Sequence, residues 1–419
     1  MKIDIPYGKE KININISTDY EIITPNVVNL PDQNKIIEDA LKNPVGKEPF
    51  ENFVKESEEI LVIVNDATRP TPTSKILEYL FPFLKTHKNI KFLVATGVHR
   101  APTVDEYRFI FGKTYNTFKE KIFAHDARKD SDMVYLGKSK NGTEMFINKM
   151  VPEIGHVVVI GSVEPHYFAG YTGGRKSFLP GVASFKTIEM NHKLALSNDA
   201  QSLALKGNPV NEDMNDAMNV LKDINVFSIQ TVLTGDHKIY AVIAGDLFKT
   251  FDKAISYAND VFCVNLKQKG NIVLTVAPYP MDIDLYQSQK ALDNGKLALE
   301  DDGIIILVSK CRDGIGEEAF LKLLSQANTH QDVFNLIDNE YKLGYHKAGK
   351  MAQIGIHSQM WAVTDIKESI IKKALMKPCN SIQGALDDAI KTIKNKNREP
   401  RIIVMPAGSL TIPLIKKYQ

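Results

Sequence analysis

Ile60-Leu61-Val62-Ile63-Val64 runs directly into Asn65-Asp66-Ala67-Thr68-Arg69-Pro70-Thr71-Pro72-Thr73, and then into an amphipathic stretch over Ser74–Leu84. Five consecutive apolar residues with no polar alternation read as a strand buried on both faces, the pattern of a parallel sheet covered by helices. Short runs rich in Val and Ile and mostly non-alternating stand at Ile90–Ala95, Val157–Ile160, Phe227–Leu233, Ile272–Val276, Ile304–Val308 and Ile402–Met405. Helical patterns lie among them, at Asn211–Leu221, Leu285–Leu299 and Ile382–Ile393. Strand–helix alternation of this kind predicts an α/β protein with parallel-type sheets. Its 419 residues suit two domains of ordinary size. The boundary is placed between 268 and 269. The N-terminal domain takes 1–268, rejoined by 398–419 on element order alone, and the C-terminal domain takes 269–397.

Composition narrows the class. Lys and Arg number 52 against 50 Asp and Glu, a net charge of +2, which argues against a dedicated nucleic-acid binder. Apolar runs fall short of the roughly 18 residues needed to span a bilayer, and Met1–Pro6 has no apolar leader core. A cytoplasmic protein without membrane or nucleic-acid partners is expected. Cys263, Cys311 and Cys379 are widely separated and form no C-x-x-C, so neither a disulfide framework nor a thiolate metal site is expected.

In open α/β sheets ligands bind at the carboxyl ends of the strands, so the residues after each run carry the functional reading. Asp66 and Arg69 follow the first run. They read either as a local ion pair in a stiff loop or as an anion-binding arginine beside a carboxylate that orients a neighbour. His99 follows the second run, in Gly97-Val98-His99-Arg100. The third run leads into Gly161–Gly181, which holds five glycines besides Ser162, His166, Arg175 and Lys176. Gly170, Gly173 and Gly174 suit a phosphate cradle of backbone N–H groups. The P-loop pattern fails because Arg175 stands where its last glycine belongs, which disfavours a nucleotide triphosphatase. A lysine beside a second cation, as Lys176 is, can serve as an amine nucleophile. His192 follows; one histidine is too few for a protein-only metal site, so it reads as a packing residue or as the single protein ligand of a metal held by a cofactor. Gln287 and Lys290, three apart on a helix, can address one carboxylate. Ile304–Val308 is followed by no G-x-G-x-x-G, so a dinucleotide site is not supported.

DATRPTPT at Asp66–Thr73, GVHR at Gly97–Arg100, EPHYFAGYTGGRKSFLPG at Glu164–Gly181, NH at Asn191–His192 and LYQSQKA at Leu285–Ala291, in that order, resemble the nickel-dependent lactate racemase family. The resemblance spans nearly the whole chain. It implies two α/β domains with an active site in the cleft between them, and a nickel pincer nucleotide carried by Lys176 through a thioamide. It implies His192 as the protein ligand to nickel, and His99 and His166 as acid–base groups on opposite faces of a 2-hydroxy acid. Asp66 would orient His99. Arg69, Gln287 and Lys290 would hold the substrate carboxylate, with Tyr286 and Trp361 lining the pocket. The implied reaction is racemisation by hydride transfer from C2 through a 2-keto acid, with cofactor-building and nickel-inserting proteins as partners. Removing C2 hydrogen as a hydride avoids building a second negative charge beside the carboxylate. A larger 2-hydroxy acid, or a non-enzymatic nucleotide binder, would carry the same motifs.

Overall fold

The computed structural model describes residues 2–415. These residues form two compact units: one from Val27 to Val261, the other from the residues up to Asn26 together with those from Phe262 onward. Among the described residues no helix is long and apolar enough to cross a membrane.

In the unit Val27–Val261, six strands lie in the order Ile239–Gly245, Asn225–Leu233, His156–Ser162, Glu59–Asn65, Asn89–Ala95, Ile122–Ala124. All neighbours are parallel except the first pair, which a short turn joins antiparallel. Ile60, Leu61, Val62, Ile63 and Val64 are all fully buried, as a central strand covered on both faces requires. Ile60, Val62 and Val64 pack under the helices Gln33–Lys42, Phe50–Lys55 and Thr73–Leu84. The last of these helices begins one residue before the amphipathic stretch Ser74–Leu84, at Thr73. That residue is buried, with Pro72 in the cap position. The register aligns the carboxyl ends: Asn65 pairs with Ala95, Val64 with Ile160 and Ser162 with Thr231. The loops after Asn65, Ala95 and Ser162 therefore leave from one sheet edge.

The other unit has a fully parallel sheet in the order Lys377–Pro378, Gln359–Val363, Leu299–Val308, Gly270–Val276, Arg401–Met405, Asp19–Ile22. The helix Ile382–Asn395 and residues Ile5, Ile14 and Ile16 cover one face. The helix Leu285–Gly295 lies on the other, where Thr275 Oγ1 donates to Ala291 O at 2.9 Å and Gly295 packs against Ile305.

Here the domain expectation is corrected. The late strand does not return to the first domain: Ile402, Ile403 and Val404 pair with Ile272, Val273 and Leu274. Ile402, Ile403, Val404 and Met405 are fully buried, which an interior position satisfies and an edge would not. On its far side Arg401 ion-pairs with Asp19 and Glu21, recruiting the first residues of the chain to this unit. The boundary falls at Val261/Phe262. Residues 1 and 416–419, the extreme ends of the two expected segments, lie outside the described residues.

Candidate active site

Asp66 leaves its strand and turns back on itself: Oδ1 accepts from Thr68 N at 3.2 Å and Thr68 Oγ1 at 2.6 Å. That leaves Oδ2 for His99 Nδ1, at 2.7 Å. His99 is held from its own side by His99 N to Thr96 O, and the Gly97 amide donates to Gly181 O. Burial alone would raise the Asp66 pKa. Hydrogen bonds from His99 and Thr68, with the charge of Arg69 nearby, outweigh it and hold the carboxyl below the usual range. An ionised carboxylate only accepts, so His99 Nδ1 carries the proton and Nε2 presents a lone pair. Asp66 is buried while the His99 side chain is 48% exposed, so the acid is sheltered and the imidazole remains open to a reactant.

Arg69 is half-buried in the same loop. Among the described residues its guanidinium has no carboxylate within ion-pair distance. The loop is fastened to the neighbouring strand end by Asn65 Nδ2 to Thr71 Oγ1 at 2.7 Å and Thr71 Oγ1 to Ser162 Oγ at 2.8 Å. Ser162 thus spends its hydroxyl joining two loops.

Beyond Ser162, Pro165–His166 pairs antiparallel with Gly170–Tyr171. The Ala169 amide donates to His166 Nδ1 at 3.3 Å, so the neutral ring carries its proton on Nε2. His166 is therefore the opposite tautomer from His99.

At the expected phosphate cradle the glycines permit close packing of the backbone. A Cβ on Gly170 would lie 2.3 Å from Ala204 O, and one on Gly173 2.6 Å from Val163 Cγ2, both at positive φ. They let backbone pack against protein. The Gly174 amide is already committed, donating to Gln230 Oε1 at 3.0 Å. The short turn Gly174–Ser177 then sends its two cations to different neighbours. Arg175 is buried, donating through Nη2 to Asn211 Oδ1 and lying 4.3 Å from the Phe251 ring centre. Burial lowers its pKa to about 9, with Asp252 pulling the other way. Its Nε and Nη1 find no hydrogen-bond partner among the described residues.

Lys176 Nζ lies 5.6 Å from the centre of the Phe168 ring. The same ring meets His166 edge-on at 4.6 Å and His192 at 5.2 Å. One phenyl group thus gathers the amine and both imidazoles. His192 rides on the helix Phe185–Lys193, capped by Ser184 and anchored by buried Asn191, whose Nδ2 donates to Val210 O. Among the described residues no three His, Cys, Asp or Glu side chains are grouped as a metal site.

The remaining expected residues are in the other unit. Gln287 and Lys290 share a half-buried face of the helix Leu285–Gly295, whose cap Asp284 accepts from Gln287 N at 2.6 Å. The Tyr286 ring is clamped between Phe320, at 5.6 Å, and the Lys347 ammonium, 3.6 Å from its centre, and burial raises its phenol pKa. Trp361 departs from the pocket expectation. It is buried in the middle of its strand, packed with Ile306, Leu386 and their neighbours on the sheet face away from Leu285–Gly295. Trp361→Ala is expected to lower the unfolding free energy by about 3–5 kcal/mol and to leave KM unchanged; urea denaturation alongside steady-state kinetics checks both.

Phe168, Gln230 and Lys347 were missed by sequence reasoning. The glutamine alone left a signal: a polar residue inside the apolar run Phe227–Leu233.

A two-unit α/β protein with an aspartate-oriented histidine, a second histidine in the complementary tautomer and a buried loop lysine holds groups of the kind that acid–base chemistry uses. The family described as Lactate racemase N-terminal domain matches residues 7–204, and the Lactate racemase C-terminal domain matches 265–412. Lactate racemase of Thermoanaerobacterium thermosaccharolyticum is 31% identical over 423 residues, covering 97% of each chain. That of Lactiplantibacillus plantarum is 29% identical over 421 residues, covering 97% of this chain and 98% of the other. The solved lactate racemase apoprotein from T. thermosaccharolyticum superposes with a TM-score of 0.91 at 30% identity, over 99% of this chain and 100% of that one. A Thermotoga maritima protein, 15% identical with a TM-score of 0.65 over 87% and 97% of the two chains, shares the fold. The chain belongs to the lactate racemase family, and with it to the isomerases.

Proposed function

We propose that this protein interconverts the enantiomers of lactate, with a nickel pincer nucleotide attached to Lys176 and His192 as the protein ligand to nickel. The observation that carries the reading is the pair of histidines in opposite tautomers: His99 offers an acceptor Nε2, His166 a donor Nε2–H. The residues present fit the cofactor. An amine and an imidazole, a donor that suits nickel, surround one ring. The open N–H groups of buried Arg175, the residue before Lys176, suit an anionic group such as a phosphate.

When bound, the nickel pincer nucleotide supplies a reversible hydride acceptor for C2. The chain's own residues do the rest. His99 takes the hydroxyl proton at Nε2 while Asp66 stabilises the imidazolium that forms. His166 donates its Nε2 proton to the carbonyl oxygen as C2 is reduced from its other face, and exchange with solvent then returns a proton to His166 and removes one from His99. Arg69 holds the carboxylate, keeping C2 in place between the two half-reactions. Gln287 and Lys290 supply an amide and an ammonium suited to a carboxylate. The reading carries with it a cytoplasmic location and partner proteins that build the cofactor and insert its nickel.

His99→Ala and His166→Ala are each expected to lower kcat by about 10²–10⁴-fold while the protein keeps its cofactor mass. Racemisation followed by chiral chromatography, with intact mass on the same samples, tests this. Full activity in either variant would overturn the two-histidine scheme.

A further inference from the structure

Gln230 sits in the strand Asn225–Leu233, fully buried between Ile229 and Thr231. A buried amide in such a strand is costly unless both its ends are bonded. Both are: Nε2 donates to Ser228 Oγ at 2.8 Å, on the same strand face, and Oε1 accepts from Gly174 N at 3.0 Å. The first bond fixes which way the amide points, so the oxygen is turned to the loop. Three glycines close around it, and a Cβ on Gly173 or Gly161 would lie 2.7 or 3.2 Å from Oε1. Gly173 and Gly174 both have positive φ, and the turn they form sets the direction in which Lys176 leaves the backbone.

We propose that Gln230 is a positioning residue for Lys176: its amide oxygen holds the Gly173–Gly174 turn so that the lysine amine faces Phe168 rather than solvent. The proposal rests on the reading of Lys176 as the point of cofactor attachment. A small error in placing a reacting group costs rate steeply, so the turn's anchor governs attachment without touching the cofactor.

The test uses the full chain co-produced with the cofactor-building proteins, as wild type, Gln230→Met and Gln230→Glu. Methionine keeps the volume and loses the acceptor. A buried glutamic acid, held neutral by its surroundings, keeps both the acceptor and a donor. Two readouts are followed: the fraction carrying the cofactor mass, and the acylation of Lys176 by N-hydroxysuccinimidyl acetate in cofactor-free protein, relative to exposed Lys186. In Gln230→Met the cofactor-bearing fraction should fall about tenfold or more, and Lys176 acylation should rise towards that of Lys186. Gln230→Glu should restore both.

A methionine variant with wild-type values in both readouts overturns the proposal, as does one that loses thermal stability while the Lys176/Lys186 ratio stays put. If wild type itself gains no cofactor mass, the attachment reading fails, and the acylation ratio alone decides for Gln230. Should Gln230→Met fail to fold, Ser228→Ala removes only the bond that orients the amide. It should move both readouts in the same direction by a smaller factor, and no movement overturns the proposal.

Discussion

Lys176→Ala is expected to yield a folded protein at its bare-chain mass, with no nickel and no racemase activity, when made beside the cofactor-building and nickel-inserting proteins. The lysine is buried with its ammonium near Phe168, and alanine removes the amine without touching the Gly174–Gln230 bond. The stability change should be modest, about 1–2 kcal/mol, so loss of cofactor will not be confused with loss of fold. His192 alone cannot retain nickel, because a single imidazole falls short of the three or four ligands that common sites use. Intact mass and metal analysis of both proteins, with a matured lactate racemase as positive control, decide the matter. A variant that still carries the cofactor mass would move the attachment to another residue.

Asp66→Asn is expected to lower kcat by about 10²–10⁴-fold with little change in KM. The amide is isosteric, but it can turn its NH₂ towards His99 Nδ1 and so force the ring proton onto Nε2, where the lone pair is needed. The acid limb of stability supplies a second signature. The Asp66 pKa is lowered in the folded protein, so its carboxylate contributes stability that is present above the ordinary aspartate value, about 3.9. That contribution is lost as pH falls through the lowered folded-state value. Thermal unfolding followed from about pH 7 to pH 3 should therefore fall less steeply for the asparagine variant than for wild type. Equal activity of the two proteins would remove Asp66 from the scheme.

The strands that read most clearly are those buried on both faces. Ile60–Val64 and Ile304–Val308 announce themselves because nothing polar interrupts them. Asp19–Ile22 does not: it is an edge strand carrying Asp19 and Glu21, and its assignment depends on Arg401, 382 residues away. The late strand Arg401–Met405 was legible as a strand but not as a neighbour of Gly270–Val276, since element order does not specify pairing. In the site, the residue types were visible at their loops, but bonding states were not. The 33-residue separation of Asp66 and His99 hides a 2.7 Å hydrogen bond. The glycine-rich loop suggested open N–H groups, when one of its amides is consumed by Gln230. Trp361 reads equally as a pocket wall or as core until its strand face is known.

The pairing of Asp19–Ile22 with Arg401–Met405 also bears on how the chain is made. At roughly 5–20 residues per second, the ribosome takes about 20–80 s to synthesise the 382 residues between Asp19 and Arg401. The strand Asp19–Ile22 therefore emerges well before Arg401–Met405, with which it pairs. Val27–Val261 is complete in one uninterrupted stretch and can fold while synthesis continues. Asp19–Ile22 must wait as an unpaired edge, and its short length and acidic residues suit it to that wait.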